Sequence, residues 1–430
     1  MAKQIKPKKK KENLPVRKAK LSLEDCINNF IEHIKSIYAA EGLVMPVVFE
    51  DYKKKTQTFV NFLNKHGNPK EEKKRVTFSV PIELASKIDS LDQPLKQTRL
   101  VSKMLPKSFV IMLVSQYDNF LGQIISCIYT LRTELLNASD RQLDFTELND
   151  LGSVKKAKEY LLEKEIESLL RKSHSEQFDW LERKFDTPLR KELEIWPKFI
   201  ELTERRNLFV HSNGIVSSQY KIVCKKNNVK GLERIKLGQE LGVTKKYFTE
   251  AYNCIFELGF KLGQVLWRKN FTTDTDLKNA DRNLQHTIYN LLLSEDYGLA
   301  IKLSEFACSK PMKYPDDVSK RVHIINEAIA YKWSGKNEIC NRILNSEDWS
   351  SAKIEFQLAI QVLREEFSKA RATMLEIGKG NKWMTKESYQ EWPLFKKFRQ
   401  SKEFKQAFKK IFGTSQLKVK KPKPLGKQIA

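Results

Sequence analysis

Glycine and proline are scarce in this sequence. Only 16 Gly and 14 Pro occur among its 430 residues. A fold of many short strands needs these residues at its turns, so their scarcity argues against an all-β architecture. Apolar residues recur instead at three- and four-residue spacing, which predicts helices. We therefore expect an all-α protein, with a small mixed region near its N-terminus.

Paired cysteines are also missing. The six cysteines stand at positions 26, 127, 224, 254, 308 and 340, and no two of them have metal-ligand or redox spacing. This pattern argues against a zinc site and a disulfide framework, and it is typical of a reducing cytoplasm, where we expect the protein. The sequence also has no phosphate-cradling glycine loop and no nucleophile elbow, so we expect neither a metal nor another cofactor.

Long apolar runs are absent as well. No uninterrupted run approaches the ~20 residues that a membrane span needs. The lysine-rich start has no apolar stretch after it, unlike a secretory signal. We therefore expect a soluble protein without a membrane partner.

Acidic residues are nearly absent from the two lysine-rich end segments of the sequence. The formal net charge is +25, and residues 1–20 contribute eight and residues 416–430 five of these charges. Such an excess of positive charge predicts a polyanionic partner, for which we favour RNA. The two tails are either phosphate-binding segments or merely solubilising ones.

The chain divides into five predicted parts by composition and pattern. They are a disordered basic tail (1–20), an N-terminal region of unknown role (21–107), a helical bundle (108–270), a helical-repeat domain (275–415) and a second basic tail (416–430).

Several residues mark where the predicted helices begin and end. Ser22 begins a helix that we expect to end at Gly42, and residues 69–107 are polar, with a strand-like piece at Val76–Val80. Apolar spacing predicts further helices at Ser108–Asn137, Ser153–Lys172, Ser173–Phe185, 197–211 and Thr244–Lys269. Some strand character is also expected at Ile215–Val223.

Beyond residue 275 short helices recur in pairs. Residues 326–344 and 356–377 both have a helix–turn–helix layout, and residues 291–306 form a weaker copy. The irregular spacing of roughly 30–40 residues resembles that of tetratricopeptide repeats, although most of the usual Trp and Pro positions are missing. The resemblance implies a surface for a protein partner.

One polar segment carries the most chemical information. Arg206, Asn207 and His211 lie on the helix that Asn213 and Gly214 end, and no other histidine has an arginine five positions before it. Asn207 and His211 are one helical turn apart, and the long side chain of Arg206 can swing back towards them. A purely structural role is the alternative, because Arg and His at this spacing also occur by chance.

These three side chains suit metal-independent cleavage of RNA. A histidine can remove the proton of a ribose 2′-hydroxyl near neutral pH. An arginine can stabilise the charge that grows on the phosphate, and an amide can orient either group. The products would be a 2′,3′-cyclic phosphate and a free 5′-hydroxyl. We take Arg206, Asn207 and His211 as catalytic candidates, and Asp118, Arg205 and Asn213 as candidates for contacting the substrate.

Residues 108–270 resemble the HEPN superfamily (higher eukaryotes and prokaryotes nucleotide-binding domains). The matching segments are Arg206-Asn207 with His211, Tyr117–Gly122 and 163–178, within about 160 of the 430 residues. The resemblance implies a ribonuclease whose Arg and His are catalytic, a homodimer with facing motifs, and a role in phage defence or as a toxin. One toxin subgroup has Tyr where this chain has Asn213, so that subgroup's nucleotide transfer is not implied.

Two other functions stay open. The fold can hold RNA or a partner without cleaving RNA, or the repeats can make the protein an adaptor with solubilising tails. An assay of RNA degradation distinguishes an enzyme from a protein that only holds RNA. An affinity for RNA that falls with salt would argue against a protein-only adaptor.

Overall fold

Helices dominate the structure, a computed structural model that describes residues 21–72, 75–138, 143–191 and 193–413. The expected all-α class is confirmed at this level. Sixteen α-helices occur in the described part: α1 (Leu23–His66), α2 (Ala85–Leu131), α3 (Phe145–Leu151), α4 (Val154–Leu170), α5 (His174–Phe185), α6 (Trp196–Ser212), α7 (Ser218–Lys226), α8 (Lys245–Asn270), α9 (Asp274–Leu293), α10 (Tyr297–Ala307), α11 (Asp317–Trp333), α12 (Asn337–Asn345), α13 (Ile354–Leu363), α14 (Phe367–Ile377), α15 (Lys386–Glu391) and α16 (Lys402–Phe412).

The bundle forms around α8. A Cβ on Gly259 of α8 would lie 2.5 Å from the ring of Phe30, and one on Gly263 would lie 2.9 Å from Ile27. These two glycines therefore let α1 approach α8 closely, as only residues without a Cβ allow. Phe30 stacks in turn on Phe120 of α2, with ring centroids 4.5 Å apart. The first half of α1 thus belongs to the bundle, although the sequence boundaries assigned it to a separate region.

The expected end of α1 at Gly42 is wrong, because the helix continues to His66. A glycine inside a helix costs only about 1 kcal/mol relative to alanine, which packing can offset. α1 packs against α2, and this packing stabilises the helical conformation of α1 at Gly42 and beyond it.

The polar segment between residues 69 and 107 also differs from expectation. It contains an antiparallel hairpin of β1 (Asn68–Glu72) and β2 (Arg75–Ser79), which confirms the strand-like piece, in a register that pairs Asn68 with Ser79. The rest is the beginning of α2, so the expected boundary at 107/108 falls inside one helix. That helix ends at Leu131, before the expected Asn137. The polar composition of residues 69–107 concealed this part of α2, because a helix pair that projects into solvent needs few apolar residues.

Both long helices contain a proline where they leave the bundle. Pro46 of α1 and Pro106 of α2 line the same cavity of about 280 Å³, beside Val243. A proline has no backbone N–H, so each helix lacks a hydrogen bond at this level. Beyond Met45 no side chain of α1 is buried. Residues 46–106 therefore form a projecting two-helix arm with the β-hairpin at its tip.

The strand expected at Ile215–Val223 is a helix, α7, from Ser218 onward. The side chain of Ser217 accepts the backbone N–H of Tyr220 at 3.2 Å and so caps this helix. Strand pairing in this segment is limited to one bridge between Ile215 and Glu240. The β-branched residues of the segment favour strands, but tertiary packing of Tyr220 and Cys224 overrides that preference.

The C-terminal part consists of helix pairs, as the sequence predicted. Three pairs, α9–α10, α11–α12 and α13–α14, turn at Glu295, Gly335 and Glu365, which have φ values of 60°, 83° and 62°. After each of these residues the next backbone N–H donates to a carbonyl five positions earlier, at 2.8–3.0 Å. The three turns thus share one left-handed helix-ending geometry.

The described part of the chain ends before some predicted features begin. Both basic tails, 1–20 and 416–430, lie outside the described residues. No helix in the described ranges is long and apolar enough to cross a membrane.

Candidate functional site

Helix α6 presents the polar segment at its C-terminal end. Pro197 lies in its first turn, where a missing N–H costs nothing. Asn213 adopts a left-handed conformation with a φ of 49°, and the N–H of Gly214 donates to the carbonyl of Leu208 at 2.9 Å. A Cβ on Gly214 would lie 2.7 Å from the carbonyl oxygen of Leu241. The expected Asn-Gly helix end is confirmed, and it places His211 in the last turn.

Arg206 points from α6 towards α2 and meets Asp118. A terminal guanidinium nitrogen of Arg206 donates to Asp118 Oδ2 at 2.8 Å. The Nε2 atom of His174, the first residue of α5, lies 3.0 Å from Asp118 Oδ1. An ionised carboxylate only accepts hydrogen bonds, so Nε2 carries the hydrogen. We call Asp118, His174 and Arg206 the Asp118 triad.

The triad is mostly buried but not sealed. The side chains of Asp118 and Arg206 expose 25% and 20% of their surface, whereas that of His174 exposes 7%. The rings of Phe199 and Tyr117 lie 5.4 Å and 6.0 Å from the imidazole of His174. These contacts fix the ring of His174, so it orients Asp118 and cannot meet a bulky substrate directly.

One hydrogen-bond donor of the triad is unused. The Nε–H of Arg206 is buried and has no partner among the described residues. A buried donor without a partner costs about 1–3 kcal/mol.

Glu204 lies beside the triad on α6. Burial raises the pKa of the Glu204 carboxyl, and the positive charges of His174 and Arg206 lower it only in part. The amide of Asn207 donates to Glu204 Oε1 at a long 3.5 Å. Glu204 and Asn207 thus extend the polar group along the helix, and the sequence analysis missed Glu204.

His211 stands apart from these residues within one chain. Its side chain is exposed and makes no hydrogen bond, ion pair or ring contact with any described residue. Five positions along a helix correspond to a rotation of about 140°, so Arg206 and His211 point in different directions. The structure therefore joins Arg206 to Asp118 and leaves the imidazole of His211 free in solvent.

Arg205 belongs to a different, buried cluster. Its Nε donates to Glu201 Oε1 at 2.7 Å, and its guanidinium lies 4.1 Å from the centroid of the Tyr247 ring. The hydroxyls of Tyr220 and Tyr247 donate to the same carboxylate at 2.7 and 2.9 Å. Burial lowers the pKa of the Arg205 guanidinium, but its interactions with Tyr247 and Glu201 more than offset this effect and hold the pKa above its usual range. These contacts turn Arg205 into the fold and away from the Asp118 triad.

Asn213 contributes through its backbone. Its carbonyl accepts a hydrogen bond from Lys107 Nζ at 2.8 Å, and the same ammonium contacts Glu240 at 2.8 Å. The interaction ties the end of α6 to α2. Asn213 therefore positions the last turn, with His211, relative to the bundle.

The sequence analysis also missed the role of His174. It is 56 positions from Asp118, and no local pattern relates the two residues. Ser173 and Glu176 form a capping box that fixes the start of α5 at His174, at the beginning of the helix expected from Ser173 to Phe185.

Comparison with known proteins adds no relative. No protein-family model matches the chain, and no curated protein or solved structure matches it. Within the described ranges, no group of three or more His, Cys, Asp or Glu side chains is arranged to hold a metal ion.

Proposed function

We propose that this protein is a metal-independent endoribonuclease of the HEPN type. The observation that carries the proposal is the contrast on α6 between a fixed arginine and a free histidine. Asp118 holds the guanidinium of Arg206, while His211 is exposed without a partner at the end of the same helix. An anchored cation and an accessible base are two of the groups that cleavage of RNA by its own 2′-hydroxyl uses.

In the proposed reaction, His211 takes the proton of a ribose 2′-hydroxyl. The 2′-oxygen then bonds to the adjacent phosphorus, and the bond from phosphorus to the 5′-oxygen of the next nucleotide breaks. That oxygen leaves with a proton from a general acid. The products are a 2′,3′-cyclic phosphate and a 5′-hydroxyl. Arg206, whose side chain is 20% exposed, stabilises the charge on the phosphate with its guanidinium.

One chain does not supply all of these groups at one point. Arg206 and His211 diverge around α6, and the leaving oxygen needs a second proton-transfer group. If two α6 helices end next to a two-fold axis, the histidine of one copy can lie near the arginine of the other. The second histidine is then available as the second proton-transfer group. The proposal therefore includes a homodimer, and its cleft would combine the positive charge of two subunits and attract RNA.

The C-terminal helix pairs give the proposal a second part. Their three turns share one backbone geometry, with a residue of positive φ at each. We assign them to a tetratricopeptide-like domain that binds a protein partner, and we assign the whole protein to the cytoplasm, in phage defence or as a toxin.

A non-catalytic RNA-binding or scaffold function has one observation in its favour. Asp118 already neutralises Arg206 at 2.8 Å, as in an ion pair that only joins two helices. In that case the Asp118 triad would connect α2, α5 and α6, and His211 would be an ordinary surface residue.

Cleavage by the purified full chain decides between the two functions. Its RNase activity in the presence of EDTA should fall at least about a hundredfold in His211→Ala, because a general base contributes 10²–10⁴-fold. The matched control is His33→Ala, since His33 is also an exposed histidine on a helix. The products of the wild type should carry 2′,3′-cyclic phosphates. Equal cleavage by wild type and His211→Ala, or activity that requires Mg²⁺, would contradict the proposal.

A further inference from the structure

A cavity of about 420 Å³ opens on the C-terminal helices. Its walls come from the first helix of each pair, α9, α11 and α13, and from the segment 383–392. It shares no residue with the Asp118 triad. Its volume lies in the range of small-molecule sites.

Four large aromatic side chains are among its twelve lining residues. They are those of Tyr289, Phe356, Trp383 and Trp392. The side chain of Trp383 is 44% exposed, and its ring meets that of Phe356 at 82° with centroids 6.3 Å apart. A large indole left this open, over a cavity, offers a flat surface to a planar ligand.

The cavity also contains a buried amide with no partner. Asn326 lines it and is only 3% exposed, yet its side chain makes no hydrogen bond with any described residue. Neither polar atom of its amide is among the fully buried atoms without a partner, so the amide keeps contact with the open space of the cavity. An amide both donates and accepts, which matches the mixed edge of a nucleobase better than an apolar side chain.

Other lining residues carry hydrogen-bond donors. The indole N–H groups of Trp383 and Trp392 and the hydroxyl of Tyr289 have no hydrogen-bond partner among the described residues. Burial and the nearby charge of Glu391 raise the pKa of Tyr289, so its hydroxyl keeps its proton at neutral pH. The cavity thus combines aromatic faces with several unused donors.

Positive charge lies at the rim. Arg282 lines the cavity and is exposed, and it donates only to the side chain of Asn279, at 2.9 Å. The ammonium of Lys353 lies 4.7 Å from the centroid of the Trp383 ring. One acid, Glu355, is also in the lining, but the amide of Asn381 donates to it at 2.6 Å. The two cations suit an anionic group attached to a planar one.

We propose that this cavity binds a nucleotide. The base packs against the aromatic rings and bonds to Asn326, and the phosphate meets Arg282 and Lys353. The ligand is either a free mononucleotide or one nucleotide of a single-stranded RNA, since both present the same chemistry. This site is separate from the proposed cleavage site and does not depend on it.

Calorimetry with the full chain tests the proposal. The ligands are the four nucleoside monophosphates, the corresponding nucleosides, inorganic phosphate and a short single-stranded RNA. Trp383→Ala should weaken nucleotide and nucleoside binding about tenfold or more, because it removes a stacking surface. Arg282→Ala should weaken nucleotide binding but leave nucleoside binding nearly unchanged. Arg342→Ala is the matched control, as Arg342 is an exposed arginine outside the cavity.

The RNA measurement separates the two sources of the ligand. RNA binding that falls in Trp383→Ala, without mononucleotide binding, identifies an RNA segment as the ligand. Mononucleotide binding that both variants weaken identifies a free nucleotide. The proposal is overturned if millimolar mononucleotide does not bind and the RNA binds wild type and Trp383→Ala equally. It is also overturned if a peptide, and no nucleotide, binds in a way that depends on Trp383. Circular dichroism confirms that each variant is folded.

Discussion

Arg206 donates a hydrogen bond to Asp118 at 2.8 Å, although 88 positions separate the two residues. The contact joins α6 to α2 and draws the carboxylate of Asp118 away from solvent. Because His174 holds the other oxygen of the same carboxylate, the position of Arg206 depends on three helices at once. The orientation of the Arg206 guanidinium is thus set by the packing of α2, α5 and α6 together.

Asp118→Asn tests that dependence. The substitution keeps the size of the side chain and removes its charge, so Arg206 loses its ionic anchor. We expect RNA cleavage to fall about tenfold or more, with a loss of stability of only ~1 kcal/mol because the pair is partly exposed. Asp179→Asn is the control, since Asp179 pairs with Arg190 outside the site. Unchanged cleavage in Asp118→Asn would show that the anchor is dispensable.

Glu204→Gln should stabilise the protein at neutral pH. The pKa of Glu204 is raised above its ordinary 4.5, mainly by burial. A folded-state pKa above the unfolded one contributes stability that is present below pH 4.5 and is lost as the pH rises through the folded value. The charged carboxylate therefore destabilises the fold at pH 7, and glutamine removes that charge.

Thermal denaturation at several pH values measures this effect. The melting temperature of Glu204→Gln should exceed that of wild type at pH 7, and the difference should shrink as the pH falls towards 4. Glu83→Gln serves as an exposed control. A variant less stable than wild type at pH 7 would mean that attraction to Arg206 and His174 outweighs the cost of burial.

Mixing two inactive variants tests the composite dimer site. Arg206→Ala homodimers lack both arginines, and His211→Ala homodimers lack both histidines. A mixed dimer holds one arginine and one histidine on different subunits, which restores the base and the phosphate contact. It should regain measurable cleavage, but well below that of wild type, because the second histidine that protonates the leaving oxygen is still missing. Light scattering should show a dimer. A monomer that keeps full specific activity on dilution, or a mixture that stays inactive, would argue against the composite site.

The N-terminal basic tail should add affinity without specificity. Removing residues 1–20 deletes a net charge of +8 and the counterion release that goes with it. We expect weaker RNA binding for all sequences and a flatter dependence of affinity on salt. Filter binding with several RNAs across salt concentrations measures both. Loss of preference for one RNA alone would instead make the tail a sequence-specific reader.

Features that depend on neighbouring residues were predictable from the sequence. The helix starts at Ser22 and Ser173 and the helix end at Asn213 lie where we expected them. Each start is fixed by a capping box and the end by a left-handed residue, and both use contacts within a few positions. The same is true of α8, expected from Thr244 to Lys269 and found one residue further on. These local rules fixed most helices and the place of His211.

Contacts between distant residues were not predictable. The partners of Asp118 come from two other helices, and a sequence pattern contains no information on which helices meet. Arg205 looked equivalent to Arg206, yet the helical rotation of 100° between them directs one to Glu201 and the other to Asp118. The length of α1 was underestimated because its support is tertiary, through α2.

The prolines at 46 and 106 have a mechanical consequence. Each removes a backbone hydrogen bond from its helix, and they lie beside one cavity, where the two-helix arm begins. The bending stiffness of a helix comes from its hydrogen-bond ladder, so two prolines side by side soften both helices at the base of the arm, whereas Pro94 interrupts only α2, further along. The α1 segment from Pro46 to His66 is about 30 Å long at 1.5 Å per residue, so a tilt of about 10° at the base moves the hairpin by roughly 5 Å.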